Sequence, residues 1–141
     1  MAKINIAELR AVVEPTLGAP WVRGAAGPDA FDCWGICRYA GAKLFGRELG
    51  PIAEPPTDPR ELAAFLLGHT ERKHWRRVPK AAHGCIVEMA HHSYPWHVGT
   101  YLDIDGGSIW HAKRGVGVCL ETMLALRATG WRQFYFNDWV G

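Results

Sequence analysis

The sequence predicts an α+β fold in which N-terminal helices cover a central antiparallel sheet built from the C-terminal half. Apolar residues recur at helical spacing between residues 33 and 45. After His74 the chain changes to short β-branched or aromatic runs, GCIVEMA, HVGTYLD, SIWHAK and WRQFYF, divided by Gly, Asp or Pro signals. Helices first and strands second is not the alternation that a parallel sheet requires. The 141 residues fit one domain, long enough to bury a core without disulfide or metal supports.

Taken in order, residues 5–13 read as a short helix ended near Pro15, and TLGAPWVRGAAGPDA reads as an ordered loop. Asp32 stands where an N-cap belongs, and Cys33, Ile36, Cys37, Ala40 and Leu44 form one stripe of a helix running to about Phe45. Gly35 and Gly41 each cost such a helix about 1 kcal/mol relative to Ala, which points to close packing against another element. Residues 50–58 are a Pro-rich connection, and Asp58-Pro59 starts a helix through about Leu67. The four strand runs follow, with ETMLALRAT as one more short helix before the last. The helix bearing Cys33 must pack on one face of the sheet.

Composition narrows the function. With 48% hydrophobic and 21% charged residues the chain is not disordered, and a net charge of +2 is too small for a nucleic-acid binder. Arg72, Lys73, Arg76 and Arg77, with His74 and Trp75 among them, read as a solvated strand edge, the alternative being contact with a polyanion such as cell-wall polymer. No apolar run reaches the length of a membrane span, and MAKINIAELR lacks the features of a signal peptide. The expectation is folding in the cytoplasm, no membrane partner, no cofactor, and free thiols at Cys33, Cys37, Cys85 and Cys119.

The stretch DAFDCWGICRYAG carries the chemistry. A cysteine at the first helical position meets unpaired backbone N–H groups and the positive end of the helix dipole, so its thiol pKa is expected to fall. Cys37, one turn deeper, lacks most of that help. A nucleophilic cysteine needs a base, and the base needs a group to orient it. Among seven histidines, His97 and His111 lie on the two strands of one hairpin, HVGTYLDIDGGSIWHA. A two-residue Asp105-Gly106 turn would set Ile104 opposite Gly107 and place the two histidines on opposite faces. A three-residue loop, 104–106, with Gly106 in the left-handed conformation, makes them diagonal neighbours on one face. A Cys–His–His site therefore requires an odd-length loop or a bulge. A lone strand histidine is more often structural. Cys33 and Cys37 with His91 and His92 could alternatively hold zinc.

The blocks PWVRGAAGPDAFDCWGICRYA, HVGTYLD and GSIWHA, from about Trp21 to Ala112, together resemble the NlpC-type papain-like cell-wall peptidase family. Within it they are similar to the branch found in phage tail assembly and tail-associated peptidases. The resemblance implies a papain-like fold and a cysteine peptidase acting on peptidoglycan stem peptides at the γ-D-glutamyl–diamino-acid bond. It implies Cys33 as nucleophile, His97 as general base and His111 as the group that orients it, with no metal. Asp32, Trp34, Trp21 and Trp96 are the implied substrate-binding residues, Trp34 narrowing the groove. Trp21 stands where many members carry a tyrosine whose hydroxyl supports the site, and an indole donates a hydrogen bond but accepts none. Phage tail proteins are the implied partners, and delivery on a virion would suit a chain without a signal peptide. A tail component that keeps the fold and binds wall peptides without turnover is the competing reading.

Overall fold

The computed structural model describes residues 5–51, 73–91 and 97–141. The first helix, α1 (Ile6–Val13), is capped by the Asn5 side chain, which accepts from the Glu8 N–H, and it runs into a tight turn, Glu14–Thr16. The second, α2 (Cys33–Ala40), continues as a wider π-type turn, Gly41–Phe45, and stops at Gly46, whose φ of 60° is left-handed. Together these two segments cover the helix expected over 33–45. The last helix is α3 (Met123–Ala128). The helix expected over 58–67 lies outside the described residues.

Among the described residues six strands form one antiparallel sheet: β1 (Trp75–Val78), β2 (Ile86–Ala90), β3 (His97–Leu102), β4 (Ser108–Lys113), β5 (Gly117–Thr122) and β6 (Gln133–Trp139), in the spatial order β1-β6-β2-β3-β4-β5. The expected α+β class and antiparallel sheet are thus observed. Two strands stand outside the four runs read from the sequence. β1 is the anticipated strand edge, paired through Trp75 opposite Trp139. β5 was not anticipated, and it takes Glu121 and Thr122 out of the expected helix 121–129. Its strand character comes from the ladder with β4, from Ser108 opposite Thr122 to Lys113 opposite Gly117. The free side of β5 is held by the loop after α1: Gly18 N–H donates to the Val118 carbonyl, and Val118 N–H donates to the Ala19 carbonyl.

Strand alternation sorts the side chains onto two faces. On one, Leu102, Trp110, Ala112 and Val118 pack with Leu9, Val13, Phe31, Ile36 and Ala40, which seats α1 and α2 on the sheet. On the other, Val87, Met89 and Ile109 pack with Leu126 and Trp131, seating α3 and the chain that follows it. A polar tie crosses the first layer, where the buried Trp110 indole donates to the Thr16 hydroxyl at 3.0 Å.

The hairpin has the register that a Cys–His–His site requires. Leu102 faces Ser108 and Thr100 faces Trp110. The connection is five residues, 103–107, rather than three, and it is closed by the Gly107 N–H on the Ile104 carbonyl. Asp105 (φ 52°) and Gly106 (φ 79°) are both left-handed, as the tight reversal demands.

Candidate active site

The loop before α2 and the start of that helix are locked together by one carboxylate. Asp32 Oδ1 accepts from the Gly35 N–H at 2.6 Å, the expected N-cap bond, and Oδ2 accepts from the Gly24 N–H at 2.7 Å. Asp32 N–H donates to the Ala25 carbonyl at 2.9 Å. The close packing anticipated at Gly35 is backbone on backbone: a Cβ there would lie 1.9 Å from the Ala25 carbonyl oxygen. Asp32 is buried, and both its oxygens are turned to this frame.

Cys33 is half-buried at the leading end of α2, against the cluster formed by Trp34, Cys37, Leu49, Ile86 and Val98. Burial pushes its thiol up to about 11, and the Asp32 carboxylate adds to the rise. The backbone N–H groups of Val98, Trp34 and Cys33 itself pull the other way without overcoming it. The lowered thiol expected from a helix start is therefore corrected: the donors are present, but desolvation outweighs them. Cys37, fully buried, is pushed higher still, so the expected ranking of the two cysteines holds.

His97 and His111 are brought together. His97 Nε2 lies 2.8 Å from His111 Nδ1, with the rings edge to face at 5.1 Å between centroids. The register puts Gly99 opposite His111, and a Cβ on Gly99 would lie 2.6 Å from Ile109 Cγ2 and 3.0 Å from His111 Cβ. The glycine of HVG thus clears the space in which the two imidazoles meet. His97 is held well below the ordinary histidine range by burial first, then by His111, Lys113 and His91. Its ring stacks on the Trp131 indole at 5.3 Å, and Trp131 also stacks on His91 at 3.9 Å.

The structure adds a group that the sequence reading missed. His111 Nε2 lies 2.9 Å from Glu121 Oε1 on β5, and Lys113 Nζ is 4.0 Å from the same oxygen. The His111 bond lowers the Glu121 carboxyl below its ordinary range, against an opposing effect of burial. No signal in the sequence marks Glu121, which opens the run ETMLALRAT that reads as a helix.

The cysteine and the histidine pair sit against different faces of the sheet. They approach each other where β3 begins, and there the sulfur meets the backbone N–H of Val98, the residue after His97.

The remaining sequence candidates occupy other positions. Trp34 is 9% exposed, and its indole donates to the Gly50 carbonyl at 2.8 Å. Trp21 is half-buried, with the Arg114 guanidinium 4.6 Å from its ring centroid. Trp96 and His92 lie outside the described residues. Among the described residues no group of three or more His, Cys, Asp or Glu side chains is placed to hold a metal, and no helix is long and apolar enough to cross a membrane.

Comparison with known proteins bears on the whole arrangement. No curated protein matches the chain. Among solved structures it is similar to the NlpC/p60 domain of peptidoglycan hydrolase SagA, at 22% identity and a TM-score of 0.58, covering 94% of this chain and 98% of that one. It is also similar to a structure described as similar to lipoprotein, NLP/P60 family, from Staphylococcus aureus subsp. aureus Mu50. That likeness has 16% identity and a TM-score of 0.51, and covers 95% of this chain but 42% of that one. At such identities the likeness is one of fold. The model of the NlpC/P60 family matches residues 18–140, an unbroken stretch that includes the clamped loop, the cysteine helix and both histidine strands. With the match covering nearly the whole chain, the chain belongs to the NlpC/P60 family.

Proposed function

We propose that the protein is a cysteine peptidase that hydrolyses peptidoglycan stem peptides, at the γ-D-glutamyl–diamino-acid bond, with Cys33 as nucleophile, His97 as general base and His111 as its orienting partner. The observation that carries this reading is the bonded His97–His111 pair, with His97 opening β3 and the Cys33 sulfur on the backbone N–H of the next residue, Val98. Membership of the NlpC/P60 family supports it, as does the likeness to a structure described as a peptidoglycan hydrolase domain.

With a thiol near 11 and a depressed His97, the resting pair at neutral pH is neutral on both sides. His97 removes the thiol proton as the sulfur attacks the amide carbonyl, and backbone N–H groups at the start of α2 receive the oxyanion. The imidazolium then protonates the leaving amine. Water, deprotonated by the same imidazole, cleaves the thioester, releasing the carboxylic acid and restoring the thiol.

Trp21, capped by Arg114, is the substrate contact that the geometry favours over Trp34. Delivery on a phage tail belongs to the proposal on motif resemblance alone. Detecting the chain in purified virions tests that part, and virions lacking it would remove it. The central test incubates wild type and Cys33→Ala with disaccharide tripeptide and measures new amino groups. Release by wild type only is expected. Binding without release by wild type would replace the peptidase reading with that of a wall-peptide binder.

A further inference from the structure

We propose that Glu121 is a positioning residue that fixes the tautomers of His111 and His97 in series, so that His97 presents Nδ1 as the proton-accepting atom. The proposal rests on the peptidase reading for its catalytic meaning, but the tautomer assignment stands on geometry alone.

The three side chains step diagonally across adjacent strands on one sheet face. Ile109 faces Glu121 and His111 faces Cys119, so Glu121 is the diagonal neighbour of His111, just as His111 is of His97. The contacts are 2.9 Å from Glu121 Oε1 to His111 Nε2 and 2.8 Å from His111 Nδ1 to His97 Nε2. An ionised carboxylate only accepts hydrogen bonds, so His111 must carry its proton on Nε2. Neutral His111 then offers a lone pair at Nδ1, and His97 must donate from Nε2. A neutral His97 with its proton on Nε2 has its lone pair on Nδ1. Running the chain in the other direction would need a proton on Glu121 or a second one on His111.

The charged surroundings favour the ionised carboxylate. The titratable groups around Glu121 are His111 and Lys113 on β4 and Cys119 on its own strand, with Lys113 4.0 Å away. Among the described residues, those acting on His97 include His111, Lys113 and His91. The lowered Glu121 carboxyl agrees with an anion throughout the neutral range. When His97 takes the thiol proton, this anion, one ring removed, also favours the imidazolium. His111 is fully buried, so water does not compete for its ring nitrogens.

The test uses the full chain with 15N-labelled histidine, as wild type, Glu121→Leu and Glu121→Gln, with fold checked by circular dichroism. Long-range 1H–15N correlation spectra at pH 7.5 report which nitrogen of each ring is protonated, and turnover is measured on disaccharide tripeptide. Wild type is expected to show Nε2–H on both rings. Glu121→Leu is expected to lose the single tautomer of His111 and to lower kcat by about 10- to 100-fold, as for other outer-shell partners. Its KM should stay within about twofold, since ground-state binding is untouched. Glu121→Gln keeps an acceptor oxygen, so it should hold the tautomers and recover part of kcat. A wild-type His111 protonated on Nδ1 overturns the proposal without any variant, and so does Glu121→Leu with wild-type tautomers. A tautomer change that leaves kcat intact removes the catalytic role. If the tautomers depend on Glu121 but no form cleaves the peptide, the peptidase reading fails and the tautomer assignment stands.

Discussion

Replacing Gly35 with alanine sets two effects of known sign against each other. Alanine is the better helix former, and an exposed helix interior would gain about 1 kcal/mol. At this position, however, the new Cβ would lie 1.9 Å from the Ala25 carbonyl oxygen. That contact is backbone against backbone, so no rotamer change relieves it. The loop has to retreat, and it is tied to α2 by Asp32 N–H on Ala25 and by the Gly24 N–H on Asp32 Oδ2 at 2.7 Å. Overpacking costs about 1–3 kcal/mol, and losing a hydrogen bond to a charged group costs about 1.5–3 kcal/mol. After the helix gain is subtracted, Gly35→Ala is expected to be less stable by about 1.5–5 kcal/mol. For a chain of this size, at about 4 °C per kcal/mol, Tm should fall by about 6–20 °C. Calorimetry on the pure protein gives the answer. A Tm at or above that of wild type would show that helix propensity wins, and that the loop does not approach α2 as described.

Further predictions address the sheet and the thiol. Gly99→Ala should force β4 and the His111 ring away from His97, with a loss of about 1–3 kcal/mol; a melting curve identical to wild type would show that the space is not needed. Cys33, with a thiol near 11, is about one part in ten thousand thiolate at pH 7. Its alkylation by iodoacetamide should therefore rise about tenfold per pH unit between pH 7 and 10, whereas a fast rate already flat at pH 6 would reveal a preformed ion pair. His97 has a depressed folded pKa, so the native state binds fewer protons than the unfolded one below the ordinary value of 6.5. Its stabilising contribution is full above that value and is lost as pH falls through the folded one. Urea midpoints should drop from pH 7.5 towards pH 5 in wild type and less steeply in His97→Gln. Glu121, also depressed, extends the loss below 4.5, and Glu121→Gln should flatten that acidic part of the curve.

The parts of the fold legible in the sequence were those written in local periodicity. The stripe Cys33, Ile36, Cys37 and Ala40 defined the cysteine helix, and Asp32 declared its cap. The HVGTYLD–SIWHAK hairpin even stated its own register, because only one of two loop lengths let the histidines meet, and Thr100 opposite Trp110 is that register. What stayed hidden depended on contacts remote in sequence. GVCLET carries weak strand character of its own and becomes β5 through its ladder with β4, so Glu121 could not be linked to His111. The thiol pKa was misjudged for a related reason: a helix start is visible in sequence, whereas the packing of Cys33 against Val98 and Ile86 is not. The bond of the Trp34 indole was hidden too, because its partner, the Gly50 carbonyl, lies in the next connection.

The position of β5 has a consequence for how activity is lost. It is one of the two edge strands, and beyond its ladder with β4 the backbone bonds to Gly18 and Ala19 hold its free side. Outer strands are the first to open in sub-global fluctuations, at free energies below that of complete unfolding. Fraying at Gly117–Thr122 would withdraw Glu121 while the rest of the molecule stayed intact. On the role proposed for Glu121, mild heat or denaturant would then silence folded molecules, with amide exchange at Val118 as the early reporter. The working lifetime of the protein would be set by the grip of two loop residues on one strand, well short of its melting point.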